Sequence, residues 1–261
     1  MHTVETVNVR GTNVRLLQGG EGPVLIYFHG AAGGGEWLPF LEQLSAHYRV
    51  LAPEHPGFGE SDDLPDVDSM QDLAFFYLDF LDQLGIEKVG VIGSSLGGWL
   101  ALELATLAPH RVSRMVITGS AGIRVEGVQL TDLFMLDDRE HLEILFHDES
   151  FVQNRLAAAS IGDTETVLLQ ARNRASVAHL AWNPYFHNPK LRQRVHRITM
   201  PVLVVWGEHD RVFPLRYGEE FERILPDAKL RLVRDCGHLP AQEKSAEFVA
   251  LTHNFFSKGV R

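Results

Sequence analysis

Val89-Gly90-Val91-Ile92-Gly93-Ser94-Ser95-Leu96-Gly97 runs a short β-branched stretch into a serine bracketed by glycines, and helix-spaced apolar residues continue to Ala108. A strand, a sharp turn and a helix are therefore expected at one point of the chain. Such a turn holds its central residue in a strained backbone conformation, and side chains two positions before and after it would collide. Gly93 and Gly97 remove both collisions, Ser95 is lifted clear of the sheet edge, and Ser94 points elsewhere. The start of the following helix brings positive dipole and free N–H groups to where negative charge develops on a substrate, with Leu96 N–H first among them. Ser95 is the expected nucleophile.

On both sides of this turn, Val- and Ile-rich runs alternate with longer amphipathic stretches, as when parallel strands are buried on both faces and crossed by helices. Thr6–Val9 and Val14–Leu17 flank Gly11-Thr12-Asn13 as an opening hairpin, and Val24–Phe28, Val50–Ala52, Val89–Ile92, Met115–Thr118, Val202–Trp206 and Leu230–Val233 complete eight strands. Helical spacing covers Glu36–His47, Ser69–Leu84, Gly97–Ala108, Leu215–Leu225 and Ala241–Phe256. Ser69 with Asp72 marks a helix start, Gly85 a C′ position, and Pro109 a stop. From about Gly122 to Arg197 no strand pattern occurs. The apolar residues there fall at helical spacing, clearest over Thr164–Trp182 with Asp163 as N-cap, Asn183-Pro184 ending it and Asn188-Pro189 starting a further short helix. The expected organisation is a core over residues 1–121 and 198–261 with an inserted helical cap at 122–197.

A serine needs a base within reach and a carboxylate to orient that base. Asp235-Cys236-Gly237-His238 follows the last strand, and Gly207-Glu208-His209-Asp210 follows Val202–Trp206 with Pro214 opening the next helix, so His238 and Asp210 emerge on the edge that carries Ser95. Glu208 and Asp235 compete for the carboxylate role, whereas Gly119-Ser120-Ala121-Gly122 offers none at the other strand end. The second oxyanion donor is expected from His29-Gly30-Ala31-Ala32-Gly33-Gly34-Gly35, with Ala31 N–H preferred and Ala32 as alternative.

Cys236, near His238, is read as structural beside a serine with full context. His141 and His147 lie too far round a helix to chelate as i, i+4 pairs do, and no Cys-pair or H-E-x-x-H spacing occurs, so no metal is expected. Glu54-His55-Pro56-Gly57-Phe58-Gly59-Glu60-Ser61-Asp62 lacks both the dinucleotide fingerprint and the Walker pattern, so no nucleotide or other cofactor is expected.

The 24 Lys and Arg against 34 Asp and Glu leave a net charge of −10, which argues against nucleic acid or anionic lipid as a partner. At 261 residues, one large α/β domain with its insertion accounts for the length. A lone cysteine fits a reducing compartment, residues 1–6 lack the basic start and apolar run of a signal peptide, and runs such as Val202–Trp206 are too short for a membrane span. A cytoplasmic protein is expected.

Through His29-Gly30, Pro56-Gly57-Phe58-Gly59-Glu60-Ser61-Asp62, the Ser95 turn, Trp206-Gly207-Glu208-His209-Asp210 and Gly237-His238, the chain resembles the α/β-hydrolase superfamily over nearly its whole length. It looks most like the capped branch holding carbon–carbon bond hydrolases of aromatic degradation, esterases and haloperoxidase-type esterases. Epoxide hydrolases and haloalkane dehalogenases fit less well, because their pattern puts Asp where this chain has Ser95. Glu54 departs from the Asp of many relatives in the Asp-x-Pro-Gly stretch.

The resemblance implies an α/β fold with an eight-stranded, mostly parallel sheet flanked by helices and a helical cap. With Ser95, Asp210 and His238 as triad and Ala31 and Leu96 as oxyanion donors, the expected activity is hydrolysis of an ester, thioester or activated C–C bond of a small, partly hydrophobic acyl substrate. Phe134, Phe146, Trp182 and Phe186 of the cap are candidate pocket residues, as are His141, Leu142, His147, Phe151, Tyr185 and His187. Two rivals use the same residues: a ligand-binding protein on this fold, and a lyase or cofactor-free oxygenase.

Overall fold

The computed structural model describes residues 1–63, 65–159 and 164–258. The eight strands are β1 (His2–Val9), β2 (Thr12–Gly19), β3 (Val24–Phe28), β4 (Arg49–Pro53), β5 (Val89–Ser94), β6 (Val112–Thr118), β7 (Val202–Gly207) and β8 (Ala228–Val233). They form one sheet in the order β1-β2-β4-β3-β5-β6-β7-β8. β1 pairs with β2, and β2 with β4, antiparallel; every other pairing is parallel. Apolar periodicity places only the inner half of the first hairpin. The ladder in fact runs from His2↔Gly19 to Val9↔Thr12, because the outer part of this edge strand is exposed and polar and shows no apolar signal.

Helices α1 (Pro39–Ser45), α2 (Met70–Gln83) and α3 (Leu96–Leu107) cross between the early strands, and α8 (Arg216–Ile224), α9 (Pro240–Glu243) and α10 (Ser245–Ser257) follow the later ones. The Ser69 hydroxyl accepts from Asp72 N–H and caps α2. At its other end, Ile86 N–H donates to Leu81 O and Gly85 N–H to Asp82 O, a Schellman closure that Gly85 permits at φ 66°. The helix expected over 241–256 is two pieces, because Lys244 leaves helical geometry at φ −128°, ψ 50°.

Along the central strands successive side chains enter opposite layers. Val91, Ile117 and Val204 pack into one core with α2, α3 and α8, whereas Ile92, Val116 and Val205 pack into a second with α1 and α10. Both faces are covered, so these strands read as unbroken apolar runs. β8 closes the other edge, and its exposed Lys229 and Arg231 put charge on a rim that would otherwise invite strand addition.

Between β6 and β7 lie α4 (Asp138–Leu145), α5 (Glu149–Ala159), α6 (Thr164–Ala181) and α7 (Leu191–Arg194). A capping box between Asp137 and Glu140 starts α4. Asp163, the expected N-cap of α6, lies outside the described residues. The short helix expected at Asn188-Pro189 begins at Leu191, after Asn188 Oδ1 has accepted Lys190 N–H (2.9 Å). No helix among the described residues is long and apolar enough to cross a membrane.

Candidate active site

Ser95 sits between β5 and α3 at φ 55°, ψ −114°, a region that side chains rarely occupy. The flanking glycines are there for the steric reason expected: a Cβ at Gly93 would lie 2.4 Å from Gly97 O, and one at Gly97 would lie 2.1 Å from Phe28 O. Ser95 N–H donates to Thr118 O (2.9 Å) and Ser95 O accepts Ala121 N–H (3.1 Å), which ties the serine to the end of β6. Ser94 turns toward the buried Tyr27 hydroxyl.

Asp210 and His238 meet at this edge. His238 Nδ1 donates to Asp210 Oδ2 at 2.8 Å, with both side chains out of contact with water. Asp210 Oδ1 accepts Val212 and Phe213 N–H (2.9 Å each), and Trp206 Nε1–H donates to Phe213 O (2.8 Å), so the carboxylate is held from both sides. The loops after β7 and β8 touch where a Cβ at Gly207 would lie 1.8 Å from Gly237 O; that glycine lets the acid approach the imidazole. Glu208 and Asp235, the competing carboxylates, are exposed, and Glu208 accepts Asp235 N–H instead. His238 then lies against Gly119, whose added Cβ would be 2.8 Å from Cε1 and Nδ1. Serine backbone and imidazole flank the same short turn, Gly119-Ser120. No hydrogen bond to Ser95 Oγ is formed among the described residues, a contact that such sites commonly tighten when substrate is present.

The loop after β3 is bent into a turn by Gly33 N–H donating to Gly30 O (3.2 Å). His29 Nδ1 donates to the same oxygen (2.8 Å), and Gly30 abuts Ser95, its added Cβ lying 3.2 Å from Ser95 Cβ. Peptide planarity directs Ala31 N–H away from those two donors. Neither Ala31 N–H nor Leu96 N–H, the first of α3, is spent on a described hydrogen bond.

Behind the loop stands a chain that the sequence did not announce. His29 Nε2 accepts His55 N–H (3.0 Å), His55 Nε2 donates to His29 O (3.2 Å), and Tyr77 O–H donates to His55 Nδ1 (2.6 Å). The two rings stack 3.8 Å apart. Burial, opposed by the bond to Gly30, lowers His29 to about 4, and burial together with His29 holds His55 well below its ordinary value. Both rings are neutral at pH 7, each nitrogen having one partner. Glu54 in the next loop is buried; its Oε2 accepts Glu60 N–H (3.0 Å) and faces Arg15.

In the inserted segment, Phe134, Trp182 and Phe186 come together, with Phe134 4.9 Å from Trp182 and 6.0 Å from Phe186. Phe186 leads through Phe213 (6.2 Å) to His238 (5.8 Å). Trp182 keeps 55% of its surface exposed, whereas Phe146 is buried apart from this group and stacks on Phe151. His238 N–H donates to Leu145 O (2.8 Å), and Glu243 accepts His147, Asp148 and Gly237 N–H, fastening the α4–α5 connection to the histidine loop. His141 of α4 is held below its ordinary value by burial first, then by Arg174 and His238. Cys236 is buried beside Glu243, and burial pushes its thiol far up, which suits a packing role and not a nucleophile. His147, His209 and Asp235 bring ligand atoms within 4.8 Å of one another. The two imidazoles lie nearly parallel (17°, 4.0 Å), so their in-plane lone pairs run side by side and do not converge on one ion.

The family model for the alpha/beta hydrolase fold matches residues 23–245. The chain is similar to the 2-hydroxy-6-oxo-6-(2'-aminophenyl)hexa-2,4-dienoic acid hydrolase of Metapseudomonas resinovorans, 29% identical over 97% of this chain and 90% of that protein. It is likewise similar to the 2-hydroxy-6-oxo-6-phenylhexa-2,4-dienoate hydrolase of Burkholderia cepacia, 29% identical over 97% of this chain and 96% of that one. Among solved structures, the 2-hydroxy-6-oxo-6-phenylhexa-2,4-dienoate hydrolase from Rhodococcus sp. superposes with a TM-score of 0.76 at 25% identity, covering 98% of this chain and all (100%) of that one.

Proposed function

Because this chain belongs to the alpha/beta hydrolase fold family, we propose that it is a serine hydrolase whose substrate is a small, partly hydrophobic ketone or ester with an activated acyl group. The observation that carries this is the buried His238–Asp210 pair at 2.8 Å beside the strained Ser95 turn. Ser95 Oγ attacks the carbonyl carbon while His238 Nε2 takes its proton, and Asp210 holds Nδ1 protonated and stabilises the imidazolium. The carbonyl oxygen becomes an oxyanion facing Leu96 and Ala31 N–H. Collapse breaks the bond to the leaving group. The imidazolium of His238 returns its proton to the leaving group, so an alkoxide or thiolate leaves as the alcohol or thiol, a carbon leaving group departs as a conjugated enolate that takes up that proton, and His238 is neutral again. Water, deprotonated by His238, then releases the acid and restores Ser95.

The similarity to hydrolases of 2-hydroxy-6-oxo-dienoates favours an activated C–C bond over a simple ester. Residues 122–197 act as the cap, with Phe134, Phe146, Trp182 and Phe186 as candidate lining residues. The test pairs a serine-directed fluorophosphonate with turnover of 2-hydroxy-6-oxo-6-phenylhexa-2,4-dienoate and of p-nitrophenyl esters. Wild-type protein should be labelled and should bleach the dienoate chromophore, and Ser95→Ala should do neither. Label persisting in Ser95→Ala would remove Ser95 from the mechanism.

A further inference from the structure

Three side chains from neighbouring turns of α6 reach down to the core loops. Arg172 donates to Gly59 O, Ser61 O and Asp63 Oδ1, and Ser176 Oγ–H donates to Gly57 O; both engage the loop after β4. Asn173 does something different. Its Oδ1 accepts Gly59 N–H (2.9 Å), while its Nδ2 donates to Ala32 O (3.0 Å) in the loop that follows β3. One buried carboxamide thus joins the inserted helix to two core loops. It also comes so close to Gly33, held at φ 99°, that a Cβ there would lie 2.5 Å from Nδ2.

The turn from Gly30 to Gly33 is fixed at its first carbonyl by His29 Nδ1 and Gly33 N–H. Its third carbonyl, Ala32 O, is fixed by Asn173. Ala31 N–H lies between these anchors. We propose that Asn173 is a positioning residue for the oxyanion site, its carboxamide setting the 30–33 turn so that Ala31 N–H is aligned only while α6 is docked. This rests on the serine-hydrolase reading above. The geometry demands an amide: both its functions are used and it is almost fully buried. An aspartate of the same shape has no donor for Ala32 O and would set a negative charge against that carbonyl, and alanine removes both bonds.

The test compares wild type, Asn173→Asp, Asn173→Ala and Ser176→Ala by steady-state turnover of p-nitrophenyl butyrate and by binding of an aryl trifluoromethyl ketone, which forms an oxyanion on the serine. Both Asn173 variants should lose about 10- to 100-fold in kcat with KM held within about threefold, and should lose ketone affinity in proportion. Ser176→Ala, which removes another bond of the same helix, should keep kcat within about twofold. Circular dichroism reports folding, and Asn173→Ala carries the comparison if the aspartate does not fold. A folded Asn173 variant with wild-type kcat and ketone affinity would overturn the proposal. So would an equal fall in Ser176→Ala, which would make the effect one of helix docking in general. Wild type that takes neither fluorophosphonate nor ketone would overturn the serine reading itself, a separate result.

Discussion

Asp210 Oδ1 is committed to two backbone N–H groups, and Oδ2 faces His238 Nδ1. In Asp210→Asn the amide oxygen would keep the backbone donors, which turns the NH2 toward the imidazole. His238 would then have to present an unprotonated Nδ1 and carry its proton on Nε2, the nitrogen that accepts from Ser95 in the proposed mechanism. The expected outcome is a kcat lower by ~10⁴-fold, with thermal stability little changed, read by steady-state kinetics and calorimetry. The Ser95 turn and the meeting of Asp210 with His238 were legible in the sequence because each of these residues follows an apolar strand run and sits among turn residues. Asn173 and Glu243 were not. Each is a polar residue in a helical stretch, where nothing in the spacing separates a side chain that anchors a loop from one that faces water. The His29–His55–Tyr77 chain was hidden for another reason: its members come from three segments, and only the packing of β3, β4 and α2 brings them together.

At the level of elements, the β5–α3 turn has no slack. A methyl group at Gly97 would strike Phe28 O and His29 O, backbone atoms at the end of β3 that cannot swing aside as a side chain would. Gly97→Ala should therefore cost roughly 2–4 kcal/mol in urea unfolding, and the surviving folded fraction should turn over poorly because the displaced strand end carries the loop proposed to supply the second oxyanion donor. Gly85→Ala, at the end of α2, meets open space but must hold φ 66°; the expected loss is about 1 kcal/mol, with activity intact. The strands themselves were readable because both faces are covered. The first hairpin and the split between α9 and α10 were read less well, since an exposed edge and a single residue leaving helical geometry produce no apolar signal.

For the whole molecule, the neutral His29 and His55 tie stability to pH. Their folded values lie below the ordinary histidine value of about 6.5, so the unfolded chain binds more protons at mildly acid pH. The contribution of His29 is complete above about pH 6.5 and falls away as pH drops toward 4, worth about 3 kcal/mol over that window, and His55, also held below its ordinary value, adds to the decline in the same direction. Urea midpoints measured from pH 8 to 4 should decline mainly in that range. The decline should be shallower in His29→Asn, whose amide can keep one of the two hydrogen bonds and does not titrate. Sheet order adds a temporal consequence. β8, the strand that leads into His238, follows the other seven strands of the sheet in the chain and sits at its rim, held on one side by β7 alone. During translation the Ser95 turn is therefore synthesised long before His238, and under the proposed triad a nascent chain that has not reached residue 238 holds a serine without its base. In that proposed mechanism, reactivity waits on the docking of β8 at the sheet's rim.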